Sequence, residues 1–205
     1  MEAELSLAEH GFSATSAEHY LPELHALLDL RWEIMRRTAL NVVEKIVSPV
    51  PGSRMMIGVT HRPFLESIPE ALMNLGIEHA LVYGAIEGSD EASLDGNSSL
   101  VRMRNGETEE FRVSPESVGL SRATRADIPW KSPEDETNRS LAALEGEAGP
   151  VGDLILYNAA LRLWTATEDD VTSLAGCVER AREALSSGAA IRLLATLRQP
   201  IPVGG

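Results

Sequence analysis

The spacing of apolar residues changes character along the chain. Up to about Ile46 it is helical: Leu21, Leu24, Leu27 and Leu28 recur at the interval of one helix face, and Leu30 and Ile34 extend the stripe. The stretch from Thr38 to Val47 is short and apolar and ends at SPVPGS, whose prolines and glycine force a break. Beyond it, Met55–Thr60 (MMIGVT) is a compact apolar run bounded by turns, the pattern of a buried strand. Arg62–Leu75 returns to helical spacing, with Phe64, Leu65, Ile68, Leu72 and Leu75 on one side and Gly76 in the C-capping position. His79–Ala85 (HALVYGA) is a second apolar strand. Strand, helix, strand is a βαβ unit, which predicts a right-handed crossover between parallel, buried strands.

Leu100–Arg104 and Thr108–Val113 flank Asn105-Gly106, a dipeptide suited to the positive-φ turn of a hairpin, and Val101/Met103 and Phe111/Val113 alternate as antiparallel strands require. A weakly periodic linker runs from Ser114 to Lys131, and the remainder reads as helix. Ser132-Pro133-Glu134-Asp135 predicts one helix start. Thr167-Glu168-Asp169-Asp170 predicts another, for a helix with Val171, Leu174 and Val178 on its apolar face. Ser187-Gly188 precedes a last helix through Leu197. The expected fold is α/β: a partial mixed sheet with a parallel βαβ core plus an antiparallel hairpin, flanked by helices. Residues 1–50 form an N-terminal helical segment and 51–205 an α/β domain with C-terminal helices, expected to make one compact unit. So small a sheet leaves one flank of the βαβ unit without a neighbour, and a buried-type edge strand is normally covered.

Composition narrows the class without naming a function. The chain has 205 residues, 43% hydrophobic and 24% charged, the balance of a globular protein. No apolar run approaches the roughly 20 residues of a membrane helix, and the N-terminal MEAELSLAEHGFS is acidic where a secretion signal is basic. Cys177 is the single cysteine, which excludes a disulfide framework and a thiolate zinc site and points to the cytoplasm. The net charge of −13 disfavours nucleic acid, whose binding depends on neutralising phosphates. Arg31, Arg36 and Arg37 are one candidate for a local basic patch; the acidic surface otherwise reads as a solubility feature.

Two stretches carry candidate chemistry. Gly84–Leu94 (GAIEGSDEASL) begins at the C-terminal end of a predicted parallel strand, where open α/β sheets bind ligands. Its adjacent carboxylates, Asp90 and Glu91, suit magnesium, which takes one or two carboxylates with waters and phosphate oxygens; a solvated turn is the alternative. In RWEIMRRTALNVVEKIVS, Arg31, Arg37 and Asn41 offer guanidinium forks and an amide to an anionic ligand, or else form the polar face of a helix. His10, His19, His25, His61 and His79 show no metal-ligand spacing. There is no G-x-S-x-G and no phosphate-binding Walker sequence.

The order of these pieces resembles the C-terminal half of the anthranilate phosphoribosyltransferases and their relatives in glycosyltransferase family 3, over nearly the whole chain. It is carried by Arg31-x5-Arg37-Thr38-x2-Asn41, the strand–helix–strand, Gly88-Ser89-Asp90-Glu91-Ala92-Ser93 and the hairpin Arg104-Asn105-Gly106-Glu107. It continues through Ser114-Pro115-Glu116, Gly119-Leu120, Leu144-Glu145-Gly146, Gly149-Pro150, Leu156-Tyr157-Asn158-Ala159-Ala160 and Ser187-Gly188-Ala189-Ala190. Leu30-Arg31-Trp32 and Glu44-Lys45 look more like the paralogous, anthranilate phosphoribosyltransferase-like branch, some of whose members bind nucleic acid.

The resemblance implies a C-terminal-domain fold of the nucleoside phosphorylase and phosphoribosyltransferase type. It implies that Asp90 and Glu91 coordinate Mg2+ on phosphoribosyl pyrophosphate and that Arg31 meets the acceptor, with Arg37 and Asn41 as the other candidate substrate-binding residues. The implied reaction moves a phosphoribosyl group to an amine and releases pyrophosphate. The acceptor is expected to be an aromatic amine or a nucleotide-like ligand. The family has Gly-Pro where this chain has Glu44-Lys45, which sets a carboxylate where an anionic anthranilate would sit. The family's N-terminal half, with its glycine-rich pyrophosphate loop, has no counterpart here. This chain alone is therefore expected to be inactive, completed by a partner chain or a homodimer. The competing readings are a nucleotide- or nucleic-acid-binding module without turnover and a remnant held together by self-association.

Overall fold

The computed structural model describes residues 2–35, 38–86, 89–167 and 173–198. The chain divides into Met1–Pro51 with Arg192–Gly205, and Gly52–Ile191.

In the first unit the helical stripe is cut into short helices: α1 (Glu2–His10), α2 (Ala17–Tyr20), α3 (Pro22–His25), α4 (Leu28–Ile34) and α5 (Ala39–Ile46). The periodicity alone suggests longer elements. Pro22 explains one break, because the residue before a proline is pushed out of the helical region and Leu21 sits at φ −135°, ψ 56°. Met35, in the left-handed region at φ 52°, ends α4. None of the described residues of this unit is buried. Leu30, Ile34 and Met35 are exposed, and Trp32 is 73% exposed.

The second unit holds the sheet: β1 (Met55–Val59), β2 (His79–Gly84), β3 (Ser98–Arg104) and β4 (Glu107–Val113), in that spatial order. Between β1 and β2 runs α6 (Phe64–Asn74). The parallel pairing expected of the βαβ unit holds, with Met55 opposite Ala80 and Val59 opposite Gly84. The hairpin holds as well. Asn105 and Gly106 turn at φ 50° and 83°, the two positive values of a type I′ turn, and β3 begins at Ser98, earlier than its alternation suggests.

The linker contains a short 3-10 helix, Pro115–Val118, before α7 (Pro133–Leu144), α8 (Pro150–Ala166), α9 (Leu174–Ser186) and α10 (Ala189–Leu197). Ser132 caps α7 as expected, accepting the Asp135 N–H. For α9 the cap is Ser173, whose side chain accepts the Gly176 N–H, and not Thr167. Thr167 instead closes α8, its hydroxyl donating to the Trp164 carbonyl at 2.7 Å. Glu168–Asp170 and Val171 lie outside the described residues. Among the described residues, no helix is long and apolar enough to cross a membrane.

Strand alternation sorts the core into two layers. Leu81, Tyr83 and Leu100 pack with Tyr157, Leu161 and Trp164 of α8 and with Cys177 and Val178 of α9. Ala80, Val82, Val101 and Met103, out of phase with them, are buried on the opposite face, where α6 supplies Ile68 and Leu72. The sheet is thus covered on both sides, and its strand ends carry the loops that matter for chemistry.

Candidate functional site

At the C-terminal end of β2 the chain leaves the sheet and doubles back. Ala85 bridges to Ala92 in antiparallel fashion, the Ile86 N–H donates to the Glu91 carbonyl at 2.9 Å, and the Ser89 N–H donates to the Ile86 carbonyl at 3.0 Å. Glu87 and Gly88 lie outside the described residues. The carboxylate-bearing residues Asp90 and Glu91 sit exposed on this loop, directly before the buried Ala92 and close to the buried Leu94.

Groups from three elements fix the backbone beneath them. Tyr83 of β2, itself buried, donates its hydroxyl to the Asp90 carbonyl at 2.5 Å. Burial pushes its ionisation well above the ordinary tyrosine range, and the nearby Asp90 charge pushes the same way. Asn158 of α8 accepts the Ala92 N–H at 2.8 Å and donates to the Ala92 carbonyl at 3.2 Å and the Leu154 carbonyl at 3.0 Å. Gly58 of β1 lies under Asp90: a Cβ there would meet the Asp90 carbonyl carbon at 2.8 Å and its Cα at 2.9 Å, with the carbonyl oxygen nearer still. Ser89 completes the loop, donating its hydroxyl to the Glu91 carboxylate at 3.0 Å and accepting the Glu91 N–H at 3.2 Å.

Hard carboxylate oxygens, exposed and adjacent, fit magnesium, which fills its remaining positions with waters and phosphate oxygens. Among the described residues no cluster of three or more histidine, cysteine, aspartate or glutamate side chains forms an all-protein metal cage. The donor set therefore suits a cation shared with a ligand.

The other predicted residues belong to the N-terminal unit. Arg31 is bound within it: its guanidinium meets the Glu44 carboxylate at 2.5 Å, the two side chains being only 13% and 22% exposed. The Glu44 carbonyl accepts the Tyr20 hydroxyl at 3.4 Å. Asn41 caps α5, its Oδ1 accepting the Thr38 N–H at 2.9 Å. Arg37 lies outside the described residues. The guanidinium that sequence offers to an anion is thus already balanced by a carboxylate of the same chain.

Gly58, Tyr83 and Asn158 support the acid loop without being predicted as such by the sequence pattern. Two of them carry a signal: a glycine inside an apolar strand marks close backbone approach, and a lone asparagine in the apolar run LILYNAAL needs a polar partner.

Residues 2–191 match the family described as glycosyl transferase family, a/b domain. The anthranilate phosphoribosyltransferase of Nitrosomonas europaea is 31% identical over 90% of this chain and 54% of its own length. That of Symbiobacterium thermophilum is 35% identical over 88% of this chain and 53% of its own length. The chain therefore spans about half the length of the curated relatives it matches. Among solved structures, the Thermus thermophilus anthranilate phosphoribosyltransferase superposes with a TM-score of 0.83 at 30% identity, covering 95% of this chain and 57% of that one. The Saccharomyces cerevisiae enzyme in complex with PRPP and Mg shares the fold, with a TM-score of 0.71 at 22% identity over 84% of this chain and 49% of its own.

Proposed function

This chain belongs to the glycosyl transferase family through its a/b domain, and we propose that it carries the metal-holding part of a phosphoribosyl-transfer site. In the reaction we assign, an amine nitrogen bonds to C1 of phosphoribosyl pyrophosphate as the bond from C1 to the pyrophosphate oxygen breaks. The amine gives up a proton, and pyrophosphate leaves. The observation that carries this reading is the exposed Asp90–Glu91 pair at the end of a parallel strand, on a backbone tied to the core.

Asp90 and Glu91 would hold Mg2+ with the pyrophosphate oxygens. When bound, the metal supplies positive charge against the phosphate oxygens of the leaving group. The chain's own contribution is position: a backbone held at Asp90 and at Ala92 presents both carboxylates to the ligand.

For the acceptor we assign Arg31, with Arg37 and Asn41 as the remaining candidates. An acceptor bearing a carboxylate must compete with Glu44 for the Arg31 guanidinium. The pairing therefore supports an amine acceptor that brings no carboxylate to Arg31. The −13 charge supports a small molecule rather than nucleic acid as the ligand.

Calorimetric titration of phosphoribosyl pyrophosphate into the protein tests the metal reading. Binding is expected to require Mg2+ and to weaken at least about tenfold in Asp90→Asn, as befits a lost charge-assisted contact. Affinity indifferent to both Mg2+ and Asp90→Asn would remove the reading.

A further inference from the structure

We propose that Tyr83 and Asn158 are positioning residues for the Asp90–Glu91 pair, holding the loop backbone so that both carboxylates meet a divalent cation in one fixed array. This rests on the reading of that pair as metal-binding.

Five backbone groups of Asp90, Glu91 and Ala92 have specific hydrogen-bond partners. Across Asp90, Glu91 and Ala92, the Asp90 carbonyl takes the Tyr83 hydroxyl, and the Glu91 carbonyl takes the Ile86 N–H. The Glu91 N–H goes to the Ser89 hydroxyl, while the Ala92 N–H and carbonyl both go to Asn158. Side chains from β2 and α8 thus treat this short segment as a neighbouring strand treats its partner. Asn158 in particular reproduces the donor and acceptor of an antiparallel residue, and spends its remaining amide hydrogen on Leu154. Loops that merely connect elements satisfy their backbone with water and local turns. Here the buried Tyr83 and the half-buried Asn158 are committed to the loop while its two carboxylates stay exposed. Such a shell, one step removed from the ligating oxygens, is what sets the geometry of a metal site.

The test uses the full chain with Mn2+ as the cation and inorganic pyrophosphate as co-ligand, free Mn2+ being counted by electron paramagnetic resonance. Tyr83→Phe keeps the buried ring and removes only the hydroxyl. Asn158→Asp keeps the acceptor for the Ala92 N–H and removes the donors. Each is expected to weaken Mn2+ binding about fivefold, the worth of one well-placed hydrogen bond. Thr165→Val is the control: it also removes a buried hydroxyl, one bonded to the Leu161 carbonyl within α8. It is expected to lower the thermal midpoint comparably and leave Mn2+ affinity unchanged.

If Tyr83→Phe and Asn158→Asp bind Mn2+ like the wild type while Asp90→Asn has lost it, the positioning proposal is overturned and the metal reading stands. If Thr165→Val weakens Mn2+ as much as they do, the effect is general softening and the proposal is again overturned. If the wild type takes up no Mn2+, or Asp90→Asn binds as well as it does, the metal reading itself fails.

Discussion

The acid loop and the arginine-bearing helices both present polar side chains that suit a phosphorylated or anionic ligand, yet they are held by different physics. The loop carrying Asp90 and Glu91 grows from a strand whose Leu81 and Tyr83 are buried, and it returns to the core at Ala92 and Leu94. Its carboxylates are exposed above a backbone that Tyr83 holds at Asp90 and Asn158 holds at Ala92. Arg31 sits in a unit without a single buried described residue, and its partner is Glu44 of the same unit. Burial organises the first region and charge pairing the second. A site organised by burial keeps its geometry in salt and loses it when the core is disturbed. A site organised by pairing does the reverse.

The largest effect expected from this contrast is at Gly58. Valine is the better strand former, so propensity alone would make Gly58→Val favourable. The obstacle is the Asp90 backbone, which cannot rotate aside as a flexible side chain could. Urea denaturation should show a loss of about 3 kcal/mol, at the upper end of overpacking costs. In the N-terminal unit, Leu30→Ala at a half-exposed position should change stability by no more than about 0.5 kcal/mol. Equal losses from the two substitutions would erase the contrast, because Leu30 would then be contributing to a core as Gly58 contributes to a close contact.

Much of the second unit is legible in the sequence because its signals are local. Apolar runs bounded by turns, the Asn105-Gly106 dipeptide and the Ser132 cap each encode their element within a few residues. The Asp90–Glu91 candidate follows from the same logic, as a carboxylate pair just past a predicted strand. What local patterns leave out is contact between distant segments. Nothing near Asp90 announces that Gly58, Tyr83 and Asn158 converge on it, since the pairing depends on sheet register and on where α8 crosses. The N-terminal helices fail differently. Their leucines repeat at helical intervals, but Pro22 and the left-handed Met35 bound the stripe, and the break at Ala26 and Leu27 between α3 and α4 divides it into pieces too short to form the single amphipathic face it suggests. The missed α9 cap is an ambiguity between similar signals: Thr167 and Ser173 are both capping residues, and only the end of α8 decides between them.

A smaller effect separates the Arg31 site from the acid loop. Glu44→Gln removes the charge that neutralises the guanidinium and keeps the side chain's size. Stability should fall by only about 1 kcal/mol, because the pair is partly solvated. Binding should move more. Anthranilate, followed by its own fluorescence, should bind Glu44→Gln about tenfold more tightly than wild type, as a charge-assisted contact becomes available. Raising the salt concentration should weaken this binding, whereas the geometry of the acid loop should be unaffected. An unchanged anthranilate affinity would show that Arg31 is not the cation an acceptor meets.

The smallest effect tests whether every carboxylate of the second unit depends on burial. Asp127 is exposed in the linker, and it accepts both the N–H and the hydroxyl of Thr124, at 2.8 and 2.7 Å. The backbone N–H first, and the hydroxyl second, hold its carboxyl below the ordinary 3.8. A carboxyl whose folded value lies below its unfolded value stabilises the fold above the unfolded value, and that contribution disappears as the pH falls through the folded one. Wild type should therefore melt slightly above Asp127→Asn at neutral pH. The gap should close as the pH drops below 3.8, because the protonated aspartate then accepts hydrogen bonds no better than the amide. Thermal midpoints measured across that range would show it. A gap that persists in acid would mean that Asp127 contributes through shape rather than charge, and that the linker is organised by packing as the acid loop is.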